Sequence, residues 1–67
     1  MTYGQLCCKI RGKLYISQQK LADEIGVSYT SVNRWERGRS QPDFISKHKL
    51  ADYAQKVGID ISDLEKN

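Results

Sequence analysis

Residues 17–42 read SQQKLADEIGVSYTSVNRWERGRSQP. Two serines divide the stretch. Ser17 precedes Gln18-Gln19-Lys20-Leu21-Ala22-Asp23-Glu24-Ile25, and Ser28 precedes Tyr29-Thr30-Ser31-Val32-Asn33-Arg34-Trp35. A serine ahead of a helical pattern is an N-cap, because its hydroxyl accepts a backbone N–H that the first turn leaves free. Three residues after Ser17 stands Lys20, not Glu or Gln, so the reciprocal half of a capping box is missing. Leu21, Ala22 and Ile25 recur at helical spacing and make one buried stripe. Gly26 ends that helix, since glycine takes a positive φ without penalty. Val32 and Trp35 share the inward face of the second helix, Gly38 ends it, and Pro42 bars its continuation.

Each helix spans about two turns, too little to persist alone. They must pack on each other and on the rest of the chain. Counting Gln18 as the first position, Ala22 is fifth, Gly26 ninth and Val32 fifteenth. That is the spacing of a helix-turn-helix: a small residue where two helices cross at about 90–120°, then a glycine at the turn. Outside this unit, Leu6, Ile10 and Leu14 recur every four residues and predict a first helix ending near Tyr15, weakened at Gly12. Leu50, Ala54 and Val57 predict a fourth, from Asp43 or Phe44 to Val57, with Gly58 as its stop. Ile59, Ile61 and Leu64 predict a closing turn or short helix capped by Asp60 or Ser62. Nothing alternates like a strand. The expected fold is all-α, a compact bundle of four helices plus a short fifth, forming a single domain over residues 1–67 with the helix-turn-helix at about 18–37.

With 67 residues, 39% hydrophobic and 28% charged, the chain has a globular balance near the lower size limit for one core. A net charge of +3 and a pI near 9.0 favour an anionic partner. No apolar run approaches the ~20 residues that span a bilayer, and no secretory pattern opens the chain. Cys7 and Cys8 are adjacent, which disfavours a disulfide between them, and nothing nearby completes a metal site. A reducing, cytoplasmic setting is expected, with no metal and no small-molecule cofactor. His48 is the lone histidine and reads as a helix-surface residue. No nucleophile–base set or carboxylate pair stands out, so an enzyme is not expected.

The stretch from Ser17 to Pro42 resembles the XRE-type (Cro/C1-like phage repressor) helix-turn-helix family. That family typically reads Ser-Gln-x-x-Leu-Ala, then Gly-Val-Ser, then a recognition helix ending in Trp-Glu-x-Gly, with a proline shortly after. The matching residues are Ser17, Gln18, Leu21, Ala22, Gly26, Val27, Ser28, Val32, Trp35, Glu36, Gly38 and Pro42. Two features depart from the pattern. The stretch after Pro42 is about three residues longer than usual, and Tyr15-Ile16 stand where the family often has glycine. The resemblance implies sequence-specific binding of double-stranded DNA by a prokaryotic or phage transcriptional regulator, with a recognition helix at about 29–37 in the major groove. In the family, an arginine seven positions before the glutamine often pairs with the glutamate. That implies an Arg11–Glu36 bridge tying the first helix to the third.

Helical rotation of about 100° per residue sorts the recognition helix by direction. With Val32 inward, Thr30 and Arg34 fall nearly opposite, and Asn33 and Arg37 at the outward shoulder. Tyr29 sits at the exposed N-terminal end, and Glu36, about 40° from Val32, turns toward the core. Arginine pairs with guanine O6 and N7, asparagine with adenine N6 and N7, and threonine and tyrosine offer hydroxyl and apolar contacts. Tyr29, Thr30, Asn33 and Arg34 are therefore the expected base readers. Expected phosphate contacts are Gln18 and Gln19 at a helix N-terminus, Arg37, Arg39 and Ser40 beyond the recognition helix, and Lys47 on the fourth. A homodimer on a palindromic site is expected, joined through Phe44, Tyr53, Ile59 or Leu64. Two alternatives share the fold: a DNA-targeting module of a larger DNA-acting enzyme, and an antitoxin or protein-interaction module.

Overall fold

The computed structural model of the protein describes residues 1–65. Four helices follow one another: α1 (Tyr3–Leu14), α2 (Gln18–Ile25), α3 (Tyr29–Glu36) and α4 (Phe44–Lys56). Each begins with a side-chain cap. Ser17 Oγ accepts from the Lys20 N–H at 3.0 Å, Ser28 Oγ from Ser31 at 3.1 Å, and Asp43 Oδ1 from Ser46 at 2.8 Å. α1 opens with a full capping box. Thr2 Oγ1 accepts from the Gln5 N–H, and Gln5 Oε1 accepts from the Thr2 N–H.

The core collects one stripe from every helix: Leu6, Cys7 and Ile10 from α1, Leu21, Ala22 and Ile25 from α2, Val32 and Trp35 from α3, Leu50 and Ala54 from α4. Tyr3 at the start of α1 and Ile59 beyond α4 complete it. α1 lies against α3 so closely that only glycine fits at position 4. A Cβ there would collide with the Trp35 carbonyl oxygen.

The exit from α1 uses a residue poorly suited to it. Tyr15 takes the left-handed conformation (φ 57°, ψ 45°) while its N–H donates to the Arg11 carbonyl. Its side chain is 94% exposed, so no packing offsets the cost of that conformation. Between α2 and α3 the same conformation falls to Gly26 (φ 74°), where it costs little.

The expected short fifth helix is not present among the described residues; Ser62–Glu65 form turns instead. Asp60 Oδ1 accepts from the Ser62 N–H two residues on, an Asx turn, not a helix cap. The Leu64 N–H bonds the Ile61 carbonyl three residues back. The next donor, Glu65 N–H, goes to the Met1 carbonyl at 2.6 Å, so no four-residue ladder closes here. Ile59 is buried in the core, which removes it from the expected dimer surface. Tyr53 and Leu64 pack partly against that core, and Phe44 remains 75% exposed.

Candidate nucleic-acid interface

α3 packs against two other helices, and this fixes what it presents outward. Val32 and Trp35 are buried beneath it, and both α1 and α2 pack against it. Tyr29 (47% exposed), Thr30 and Arg34 face solvent, and Asn33 is half-buried at the shoulder. Just beyond, Arg37, Arg39 and Ser40 are exposed, grouped by a tight exit from the helix. There Gly38 takes φ 72° and the Arg39 N–H returns to the Arg34 carbonyl at 2.9 Å. Among the described residues, no carboxylate pairs with Arg34, Arg37 or Arg39. The positive charge at this end is uncompensated locally.

Behind the surface lies a continuous polar network. Arg11 Nε donates to Glu36 Oε2 at 2.8 Å and Arg11 Nη2 to Glu36 Oε1 at 2.9 Å, a bidentate pair between α1 and α3. Arg11 Nη1 also reaches the Ile16 carbonyl at 3.4 Å. Gln18 Nε2 donates to the same Glu36 Oε1 at 2.9 Å, and Asn33 Nδ2 donates to Gln18 Oε1 at 3.1 Å. The Glu36 side chain is 7% exposed and that of Arg11 28%. Burial pushes the Glu36 carboxyl up, but hydrogen bonds from Arg11 and Gln18 and the guanidinium charge outweigh it. The carboxyl ends below the usual carboxylate range. One end of the pair is thus nearly dry and the other touches water.

Not every expected contact residue stands free at this surface. The Gln18 side chain is committed to Glu36 and Asn33, whereas Gln19 lies on the exposed side of α2 and donates to Asp23 Oδ1 at 2.9 Å. Lys47 bonds Glu65 Oε1 at 3.1 Å and sits 5.3 Å from the centre of the Tyr3 ring. Its charge is engaged beside the contact between Glu65 and Met1. Gly4 and the Thr2–Gln5 box are the positioning residues that the sequence reading did not single out. The T-x-x-Q spacing before an apolar run was the available signal for the box.

No helix among the described residues is long and apolar enough to cross a membrane. No solved structure matches the chain. One curated relative is an uncharacterized transcriptional regulator in the ATPase CF(0) region of Rhodospirillum rubrum. It is 37% identical over 67 residues, covering 94% of this chain and 59% of that protein. The chain therefore spans about three-fifths of the relative's length. A family model described as helix-turn-helix matches residues 9–64, which takes in α2, the turn, α3 and the network behind them. On the capped helix pair, the glycine turn and this match, the chain belongs to the XRE-type helix-turn-helix family.

Proposed function

We propose that this chain binds double-stranded DNA sequence-specifically as the DNA-binding part of a transcriptional regulator. The observation that carries the reading is the division of α3. One face is locked into the core and to Arg11, while the other offers Tyr29, Thr30, Asn33 and Arg34 beside Arg37 and Arg39, which no carboxylate among the described residues pairs. In this reading α3 enters the major groove and those four side chains meet base edges. Arg37, Arg39, Ser40 and the N-terminus of α2 with Gln19 meet phosphates on either side. The Gln18 backbone N–H shares in that contact while its side chain stays inside the network. Lys47 adds only to the longer-range field, because Glu65 holds it.

A module of this size buries about 600–1,000 Å² on DNA, little for specific control. A homodimer on a palindromic site is the natural supplement. Of the residues expected at its surface, Phe44 is the one left exposed, next to Ile45.

Titrating a fluorescent duplex at rising salt tests the electrostatic part. Log affinity falls against log salt with a slope near −0.9 for each phosphate that an arginine neutralises, Arg37 and Arg39 being the cationic contacts of each subunit. Arg39→Ala should flatten the slope by about one contact's worth and weaken all duplexes alike. Affinity that ignores salt contradicts the proposal.

A further inference from the structure

The polar network behind α3 has a direction. A carboxylate is acceptor-only, so a Gln18 amide facing Glu36 must present its NH₂ end. Its other end, a carbonyl, then faces Asn33, which must in turn present its own NH₂. Turning Gln18 over would set its carbonyl against the carboxylate, and turning Asn33 over would set two carbonyls face to face. Arg11 holds the whole order in place by fixing both Glu36 oxygens. Asn33 is left with its Oδ1 and one N–H for anything outside.

We infer that Gln18 is a positioning residue, one that carries the acceptor polarity of Glu36 to Asn33 and so sets which base edge Asn33 can meet. This rests on the proposal that α3 reads DNA. The consequence is specific. Adenine shows one donor and one acceptor in the major groove, N6–H and N7, and an oxygen plus one N–H satisfies both. Guanine shows two acceptors, O6 and N7, and needs two donors. Asn33, with one N–H already committed to Gln18, cannot supply both. The relay therefore works as a filter against guanine at the position that Asn33 contacts. Removing the Gln18 carbonyl frees the second N–H and lifts the filter.

The test compares full-chain wild type, Asn33→Ala and Gln18→Met on duplexes varied one base pair at a time. Loss of preference in Asn33→Ala identifies the position concerned. At that position Gln18→Met should lower the adenine-over-guanine ratio by about tenfold, leaving preferences elsewhere unchanged. NMR on the free wild-type protein gives a second readout that no folding defect of the variant can confound. One of the two Asn33 side-chain N–H protons should be hydrogen-bonded and slow to exchange, the other not. An unchanged ratio in folded Gln18→Met overturns the inference, as does equal weakening on every duplex, which would make Gln18 a phosphate contact alone. Two equally exposed Asn33 protons overturn it too, and so does an Asn33→Ala variant with no altered position. Wild type without preference at any position would instead sink the DNA-reading proposal itself.

Discussion

Glu36 is the residue on which the rest depends. It stands among arginines in the sequence, yet it turns inward and holds Arg11 and Gln18 at once. Breaking a fully buried pair costs about 3–5 kcal/mol. Arg11 is partly open to water and can rehydrate, so Glu36→Ala should cost less, about 2–3 kcal/mol in urea unfolding. Acid gives an independent check. Arg11 and Cys8 reach the carboxylate from α1 and Gln18 from α2, and its folded value lies below the ordinary 4.5. A depressed carboxylate contributes stability above its unfolded value and loses it as pH falls through the folded one. Wild type should therefore weaken below about pH 4.5. In Arg11→Met, burial of Glu36 loses its main counterweight and the carboxyl rises instead. That variant, weaker than wild type at neutral pH, should regain stability on acidification, and unfolding midpoints across the acid range distinguish the two slopes. The pairing of Glu36 with Arg11 was legible from the helical angle and the family pattern. The place of Gln18 between Glu36 and Asn33 was not. Position in a helix tells where a residue begins, not which of several neighbours its amide selects.

The helices themselves were readable where their ends are chemically marked. Ser17, Ser28 and Asp43 cap α2, α3 and α4, and Gly26 turns between the first two, all through contacts a few residues apart. Contacts made across the molecule left no such mark. Nothing local marks Gly4 as the point where α1 rests on the Trp35 carbonyl, or sends the Glu65 N–H to Met1 in place of a fifth helix. Tyr15 is the weakest element boundary. An exposed aromatic in the left-handed region carries about 1–2 kcal/mol of strain. Tyr15→Gly removes the strain but adds freedom to the unfolded chain, so a net gain of about 0.5–1 kcal/mol is expected. Thermal unfolding should show it as a higher midpoint. A lower midpoint would mean the tyrosine ring makes a stabilising contact.

For the molecule as a whole, four short helices share one small core, and none of them would hold alone. That economy leaves the outer side of α3 and the turn after it exposed to solvent. The core and the Arg11–Glu36 bridge hold α3 in place, its outer side chains are exposed, and Arg37 and Arg39 add charge that no carboxylate among the described residues pairs. The most direct measurement of this account is selection of bound duplexes from a random pool by wild type and by Arg34→Ala. Wild type should enrich a defined motif, repeated as two inverted half-sites about one helical turn apart, and Arg34→Ala should lose a guanine preference at one position of each half. An unenriched pool, or an identical motif from both proteins, would contradict it.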